Sequence, residues 1–234
     1  GSVGLAMSTS GFVHAQEPTN DKTNTFDFVV VGAGAAGMAA AVEARSLGAS
    51  VVVLEKAPRP DGNTFYASGR LCGVGSRYQK DTGDTLEKFV NDAWHETQGV
   101  GDKKVIEAFA KESGPSIDWL IDMGVPLTLK KGLPAPNLSR AFFMTTDGTT
   151  GGSILMRKLL KKAKDEGVKL LVNTKAFALV TDPEGNVTGV QAKTPDGVKS
   201  FMATKGVIIT TGGFSANEEM RVMYMGPWAA RLNL

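Results

Sequence analysis

The sequence contains few of the residues that bind redox metals. Among its 234 residues there is one cysteine, Cys72, and there are two histidines, His14 and His95. A single cysteine cannot form an internal disulfide, ligate a four-cysteine iron–sulfur cluster or provide a CxxCH haem attachment site. His95 falls off the apolar stripe of its predicted helix, which is typical of a solvated residue rather than a catalyst. The sequence therefore predicts no metal site, and any redox metal must belong to another chain or to residues outside this one.

Long apolar runs and clusters of one charge are also scarce. No stretch approaches the roughly 20 apolar residues that cross a bilayer as a helix. The net charge is only +2, and the main basic cluster lies on one predicted helix, where it is typical of a solvated face: Arg157, Lys158, Lys161, Lys162 and Lys164. These patterns argue against a membrane span and against nucleic acid as the main partner.

The first 25 residues differ in composition from the rest. Residues 1–15, GSVGLAMSTSGFVHA, are weakly apolar and rich in small residues, like the end of an export signal with its cleavage site, although the basic n-region is missing. The alternative is an N-terminal tail with a cloning scar at Gly1-Ser2. Residues 16–25 are polar and predict a linker. The export interpretation places the mature protein in the periplasm, and the alternative leaves it in the cytoplasm.

A strand–turn–helix–strand unit follows this segment. Phe26–Val31 predicts a buried parallel strand, and a helix follows that Gly48 can end in a left-handed conformation. Val51–Leu54 predicts a second buried strand, which Glu55 follows. Between the first strand and the helix lies the turn Gly32-Ala33-Gly34-Ala35-Ala36-Gly37.

The glycine spacing in this turn is that of a dinucleotide site. The first glycine permits the tight turn, the second lets a pyrophosphate approach the backbone, and the third lets helix and strand pack closely. The phosphates would then face the helix N-terminus. An acidic residue at the position of Glu55 can accept hydrogen bonds from both ribose hydroxyls and would repel a 2′-phosphate. The unit therefore predicts a dinucleotide that lacks this phosphate.

The rest of the chain favours FAD over NAD. A continuous NAD-type domain would soon add another parallel strand and helix. Here residues 56–83 predict a long loop, three helices are expected to begin at Asp84, Asp102 and Ser116, and 125–150 predict an irregular segment. A helix over 151–167 and a strand over 169–172 follow. Runs 176–181, 187–193 and 198–203, joined by the turns DPEGN and TPDG, predict an antiparallel meander before a last strand over 207–210.

In these motifs the sequence resembles the flavoprotein subunits of the fumarate reductase and succinate dehydrogenase family, in particular flavocytochrome c-like and urocanate-reductase-like members. The matching motifs are the glycine turn, Glu55-Lys56, Gly62-Asn63-Thr64, Ala67-Ser68-Gly69, Gly151-Gly152, and Thr210-Thr211-Gly212-Gly213-Phe214 with Asn217. They occur in the family's order over about residues 26–225. The resemblance implies an α/β fold: a glutathione-reductase-type, Rossmann-like FAD-binding domain with a three-stranded β-meander and a helical insertion.

The resemblance also implies which residues hold FAD. Glu55 would bind the adenosine ribose, the segment from Gly62 to Gly69 would wrap the pyrophosphate, ribityl chain and flavin edge, and Ala176 would meet the adenine. The full expected set is Gly32, Gly34, Ala36, Gly37, Glu55, Lys56, Gly62, Asn63, Thr64, Ala67, Ser68, Gly69, Ala176, Thr211, Gly212 and Gly213. The loop lacks the histidine that links flavin covalently in some relatives, so we expect non-covalent FAD.

Two arginines depart from the family pattern. Arg70 replaces the second glycine after Ser68-Gly69, where it could bind an anionic substrate or pair with Asp61, itself a replacement for a family glycine. Arg140 lies where the family carries basic residues near the substrate, although its neighbours match poorly. Catalytic residues are not assigned, because the substrate-binding and proton-donating residues of relatives lie beyond the segment that matches.

Taken with the resemblance, the sequence predicts an oxidoreductase that reduces an activated carbon–carbon double bond, with a separate electron carrier such as a cytochrome. A half-module that needs a second chain, a dehydrogenase running the reverse reaction and an NAD enzyme remain alternatives. The expected segments are 26–115 and 151–225 for the FAD-binding domain, 116–150 for an irregular insertion near the substrate, and 226–234 for the start of a capping domain.

Overall fold

The computed structural model describes residues 24–60, 62–80, 82–130, 139–144, 146 and 148–232. The predicted export signal and nearly all of the predicted linker lie outside these residues. A six-stranded sheet forms the centre of the fold, and its strand order is β6-β2-β1-β9-β8-β7. A second sheet of three short strands has the order β3-β5-β4.

The elements follow one another as a β-α-β unit, an insertion, a helix and the remaining strands. Their bounds are β1 Thr25–Val31, α1 Ala35–Ser46, β2 Val51–Leu54, α2 Gly62–Tyr66, β3 Arg70–Cys72, α3 Leu86–Glu96, α4 Lys103–Asp122, β4 Leu127–Leu129, β5 Ala141–Met144, α5 Gly151–Asp165, β6 Lys169–Leu171, β7 Lys175–Thr181, β8 Val187–Thr194, β9 Gly197–Ile209, α6 Glu218–Met225 and a 3₁₀ turn at Pro227–Arg231. Within the described residues, no helix combines the length and apolarity needed to cross a membrane.

The large sheet is covered on both faces. Its central strands β1 and β2 pair in parallel, and β6 and β9 pair in parallel with their outer edges. On one face Val30 and Val53 pack with α1, α4 and α5 in the main core. On the other face Val29 and Val52 pack with Val190 and Phe201 of the meander. Burial on both faces explains why β2 reads as a continuous run of apolar residues.

The structure confirms the predicted β-α-β unit, meander and helical insertion. Gly48, which follows α1, has a φ of +84°, so the helix ends in the left-handed conformation as expected. The two strands predicted over 198–203 and 207–210 are one strand, β9. Its first part pairs antiparallel with β8, and its second part pairs in parallel with β1. This dual pairing joins the meander to the parallel sheet and removes the predicted break.

Two details of the insertion differ from the prediction. Thr85, not Asp84, caps α3, since the Thr85 side chain accepts a hydrogen bond from the Lys88 N–H. The helix predicted to begin at Ser116 is the second half of α4, which continues through Pro115. Burial of apolar side chains on both sides of the proline stabilises this continuous helix, which local sequence preferences disfavour. Residues 125–150, predicted irregular, contain β4 and β5.

Candidate functional site

The glycine turn joins β1 to α1 at the carboxyl end of the parallel strands. Gly32 has a φ of +104°, and its N–H donates to the Leu54 carbonyl over 2.8 Å. A Cβ on Gly37 would lie 1.9 Å from the Gly32 carbonyl oxygen, whereas a Cβ on Gly34 would meet only Thr64 Oγ1, at 3.8 Å. Gly32 and Gly37 are thus required by the fold, while Gly34 leaves the backbone accessible.

The N-terminus of α1 is suited to an anion. Its N-cap residue, Gly34, has no side chain that could accept hydrogen bonds from the N–H groups of the first turn, and no acidic residue lies in that turn. The Ala35 N–H donates a hydrogen bond to Thr64 Oγ1 over 3.2 Å. A helix end of this kind carries a partial positive charge and favours phosphate. The residues present therefore fit the pyrophosphate of a dinucleotide.

Glu55 holds the turn in place. One carboxylate oxygen accepts a hydrogen bond from the Ala33 N–H over 2.9 Å, and the other accepts from the Ala57 N–H over 2.8 Å. The Glu55 backbone carbonyl accepts from the Thr174 N–H at the start of β7. A carboxylate has about four lone-pair sites, so two remain for ribose hydroxyls. The sequence did not reveal that Glu55 also fixes the backbone of the turn.

The segment from Gly62 to Gly69 packs against the beginning of α5. The Gly152 N–H donates to the Ala67 carbonyl over 2.8 Å, and the Thr150 hydroxyl donates to the Phe65 carbonyl over 2.6 Å. A Cβ on Gly152 would lie 1.8 Å from the Thr64 carbonyl oxygen. The glycine pair that begins α5 is therefore a packing requirement, and it holds Thr64 beside the glycine turn.

The carboxyl end of β9 also lies beside the glycine turn. The Thr210 hydroxyl donates toward the Val31 and Gly32 carbonyls, each over 2.9 Å. Residue identity alone did not single out Thr210 as a contact of the turn, since a threonine that ends a strand is common. Beyond it, Thr211, Gly212 and Gly213 are exposed.

Not every expected residue joins these contacts. Gly32, Ala33, Ala35, Glu55, Thr64 and Thr210 are linked directly by the hydrogen bonds above. Ala36, Lys56, Asn63 and Ser68 are exposed beside them. Ala176 lies on β7, two residues after Thr174, and packs with the apolar cluster between the meander and the sheet.

Arg140 is not positioned as a free substrate-binding group. Its guanidinium donates two hydrogen bonds to the Asp84 carboxylate, over 2.5 and 2.7 Å, and pairs with Asp92 at 2.7 Å. It also lies 5.0 Å from the centroid of the Phe89 ring. The bond to Asp84, and then that to Asp92, raise the pKa of Arg140 above its usual value. These contacts neutralise its charge and join β5 to α3.

Arg70 lies beside the ring of Phe143. It begins β3, directly after Gly69, and its guanidinium carbon lies 5.7 Å from the centroid of the Phe143 ring. Arg70 also lines a groove of about 310 Å³ between β3 and the 109–120 segment of α4. Among residues that the structure describes, no group of three His, Cys, Asp or Glu side chains could hold a metal ion.

Residues 27–231 match the family described as "FAD binding domain". The chain is 34% identical to a urocanate reductase of Eggerthella lenta, over 86% of this chain and 34% of that protein. Its fold matches the open conformation of a flavocytochrome c3 fumarate reductase with a TM-score of 0.80 and 29% identity, over 90% of this chain and 37% of the other. It also matches a 3-ketosteroid-Δ4-(5α)-dehydrogenase of Rhodococcus jostii RHA1, with a TM-score of 0.78 and 29% identity, over 88% and 49% of the two chains.

The chain belongs to this FAD-binding family, and FAD is the cofactor that membership implies. It is related to the flavin-dependent oxidoreductases named as fumarate and urocanate reductases, which confirms the family and fold class predicted from the motifs. The chain spans less than half of the length of each of the three proteins compared above.

Proposed function

We propose that this chain is the FAD-binding part of an oxidoreductase that reduces an activated carbon–carbon double bond of a small carboxylate substrate. The observation that carries the proposal is the glycine turn held by Glu55 beside a helix N-terminus whose N-cap residue, Gly34, has no capping side chain. Backbone N–H groups and a carboxylate are the groups that bind the pyrophosphate and the ribose of a dinucleotide. The chemistry that bound FAD supplies is hydride transfer from the flavin N5 to the double bond.

The residues of this chain would bind and orient the cofactor. The N-terminus of α1 offers N–H groups to the pyrophosphate, and the remaining lone pairs of Glu55 accept ribose hydroxyls. The segment 62–69, fixed by its contacts with α5, would lie along the flavin. Thr211–Gly213 would lie near the nucleotide, and Ala176 near the adenine. A basic side chain outside this segment would supply the proton, and a separate carrier such as a cytochrome the electrons.

A half-module is the second candidate. The residues after β9 expose large apolar side chains: Met223 is 68% exposed, Tyr224 66% and Trp228 57%. Such a surface is typical of an interface rather than of a solvated face. In this proposal a second polypeptide carries the capping domain, covers residues 211–232 and completes the site. The segment 226–234 of this chain is the start of a capping domain.

Reaction direction is a further proposal. The same flavin chemistry, run in reverse, removes hydrogen from a saturated acid or ketone, and one of the similar structures is named as a dehydrogenase. We propose reduction, because the relatives named for fumarate and urocanate are reductases.

The test begins with the visible absorption spectrum of the purified chain. We expect the bands of oxidised flavin, and we expect denaturation to release the FAD because the linkage is non-covalent. A Glu55→Gln variant should bind FAD about 30-fold more weakly, whereas Glu43→Gln, an exposed change on α1, should bind it normally. A colourless protein that binds NAD would contradict the FAD assignment.

Turnover then separates the two candidates. Reduced viologen is mixed with the FAD-loaded chain and either fumarate or urocanate, and viologen oxidation is followed. Turnover by the isolated chain would reject the half-module. Absence of turnover, together with a second polypeptide of comparable size in intact-mass spectra of native material, would support it.

Location is proposed from the N-terminal residues alone. We propose the periplasm, with the cytoplasm as the alternative, because residues 1–15 resemble the end of an export signal. Fractionation of cells that produce the natural full-length protein would decide between the two compartments.

A further inference from the structure

We infer that Thr210 is a positioning residue for the cofactor, because it fixes the Gly32–Ala33 peptide from the side opposite to Glu55. The inference rests on the proposed function, since the cofactor concerned is the FAD proposed to bind there. It goes beyond that function by assigning a role to a residue that the expected cofactor-binding set does not include.

The Gly32–Ala33 peptide is held at both of its polar groups. Its carbonyl oxygen accepts a hydrogen bond from the Thr210 hydroxyl over 2.9 Å, and its N–H donates to the Glu55 carboxylate over 2.9 Å. The carbonyl and the N–H of a trans peptide point in opposite directions. Thr210 follows β9 and Glu55 follows β2, and these strands flank β1 on its two sides. Side chains from both neighbouring strands therefore hold one peptide of the turn.

The Gly32 carbonyl depends on the hydroxyl of Thr210. A hydroxyl has one proton to donate, and a second carbonyl oxygen, that of Val31, also lies 2.9 Å from it. Val31 already accepts the Thr210 backbone N–H over 2.9 Å, whereas no backbone N–H in the described part of the chain donates to the Gly32 carbonyl. The hydroxyl proton therefore satisfies a carbonyl that the backbone leaves without a donor.

Thr210 also packs closely against the two glycines that the turn requires. A Cβ on Gly32 would lie 2.6 Å from the Thr210 carbonyl oxygen, and a Cβ on Gly37 would lie 2.6 Å from Thr210 Oγ1. The hydroxyl is thus enclosed between the turn and the beginning of α1. Threonine is branched at Cβ and has little freedom at χ1. Packing and rotamer preference together keep the hydroxyl on the Gly32 carbonyl.

The hydrogen bonds form a chain that runs from Thr210 through the peptide to Glu55. An amide that accepts a bond at its carbonyl becomes a stronger donor at its N–H, because hydrogen bonds in a chain polarise one another. A half-turn of the peptide would instead direct its carbonyl oxygen at the Glu55 carboxylate, which electrostatic repulsion disfavours. Thr210 therefore stabilises the orientation in which Glu55 is held by the turn.

This orientation matters for two parts of the cofactor. In the proposed function the Glu55 carboxylate binds the ribose, and the residues that follow the held peptide, Gly34 and Ala35, lie where the pyrophosphate meets the N-terminus of α1. Fixing the peptide in advance lowers the ordering that binding requires. Thr210 thus acts on both contacts through the peptide, as a positioning residue.

The test compares three substitutions of Thr210. Thr210→Ser and Thr210→Ala differ from each other only in the hydroxyl, and Thr210→Val keeps the shape of the side chain without the hydroxyl. We expect the alanine and valine variants to bind FAD about fivefold more weakly, as the loss of one hydrogen bond predicts. The serine variant should stay within about twofold of the original chain. Quenching of flavin fluorescence measures these affinities.

A control and a second measurement separate positioning from general stability. The Thr97 hydroxyl donates to the Trp94 carbonyl at the end of α3, so Thr97→Val removes the same type of bond elsewhere and should bind FAD normally. Amide hydrogen exchange is then followed by NMR without FAD, comparing Ala33 with Val30, a buried residue of β1. In Thr210→Ala and Thr210→Val the Ala33 amide should exchange about fivefold faster relative to Val30. An effect on global stability alone would accelerate both amides together.

Unchanged FAD affinity in Thr210→Ala would overturn the inference, and so would equal weakening in the serine and alanine variants, since the hydroxyl would then not be the cause. If Thr210→Val does not fold, the serine and alanine pair decides. An original chain that binds no FAD would refute the proposed function. Faster exchange at Ala33 in the variants would in that case still show that Thr210 fixes the peptide, so the two failures are distinguishable.

Discussion

The two ends of the candidate cofactor site differ in how they are packed. At the first end, the glycine turn, Glu55 and the beginning of α5 are joined by backbone contacts that leave no room for a side chain at Gly37 or Gly152. At the second end, residues 211–232, α6 packs chiefly against the 3₁₀ turn, and a Cβ on Gly213 would meet nothing within 4 Å. We call these the packed end and the open end.

This difference shows which part of the site is preorganised. In the proposed function phosphate and ribose bind at the packed end, whose groups the fold already holds in place, so binding there requires little ordering. Groups at the open end are held by few tertiary contacts, and we expect them to exchange amide hydrogens readily. Equivalent substitutions at the two ends should therefore have unequal effects.

The largest difference in the free energy of unfolding is expected between substitutions of two buried arginines. Arg140→Met leaves the Asp84 carboxylate, whose side chain is 6% exposed, without its partner, and should lower the free energy of unfolding by about 3 to 5 kcal/mol. At the open end, the Arg221 guanidinium donates hydrogen bonds to the backbone carbonyls of Ser215, Ala229 and Leu232. Arg221→Met should cost less than about 1 kcal/mol globally, because only α6 and the 3₁₀ turn open.

Urea unfolding measures the change in the global free energy of unfolding, and hydrogen exchange shows which segments open locally. Equal loss of global stability in the two variants would show that α6 unfolds together with the core. The distinction between a packed and an open end would then be wrong.

The next largest difference in stability is expected between substitutions of two glycines. Gly37→Ala places a methyl group 1.9 Å from the Gly32 carbonyl oxygen, so it should cost about 3 kcal/mol through overpacking. Gly213→Ala, with open space around it, should change stability by less than about 0.5 kcal/mol. Thermal unfolding followed by circular dichroism compares them, and a well-folded Gly37→Ala protein of unchanged stability would contradict the packing argument.

A smaller difference, in FAD affinity, is expected between substitutions of two glutamates. Glu55→Gln replaces a carboxylate that accepts two backbone N–H bonds by an amide that can accept only one of them well. FAD affinity should fall by about 2 kcal/mol, or about 30-fold. Glu218→Gln, in the exposed first turn of α6, should change FAD affinity by less than about twofold. Quenching of flavin fluorescence reports both values.

The smallest effect on stability is expected from pH, at Asp27 near the amino end of β1, opposite the packed end. The Ser50 N–H, and then Lys205, lower the pKa of Asp27 from 3.8 to about 2. The stabilisation from this carboxylate is therefore complete above about pH 4 and is lost as the pH falls from 4 toward 2. Asp27→Asn should remove that part of the pH dependence of unfolding. An unchanged acid transition in the variant would show that Asp27 does not contribute.

Several features of the chain could be predicted from sequence because they are local. Three glycines at fixed spacing, β-branched runs on either side and Glu55 after the second strand follow from backbone sterics and periodicity. The turns DPEGN and TPDG likewise ended strands where predicted. The motif order was specific enough to indicate the family, which the matches to known proteins confirmed.

Other features depend on contacts between residues far apart in the chain. Asp84 satisfies the consensus for a helix cap, yet it pairs with Arg140, 56 residues away. Ser116 follows a proline, yet α4 continues through it because apolar side chains on both sides are buried. Local patterns cannot weigh such contacts against cap preference or proline strain.

The sequence by itself determined the β-α-β unit, the glycine turn, the position of Glu55 and the dinucleotide class, because each depends on neighbouring residues and on backbone geometry. Only the tertiary structure decided that Glu55 holds the turn, that Thr210 and Thr64 meet it, and that Arg140 is neutralised while Arg70 borders a groove. Those outcomes depend on which side chains the fold brings within hydrogen-bond distance and which it buries, and neither is encoded in local spacing.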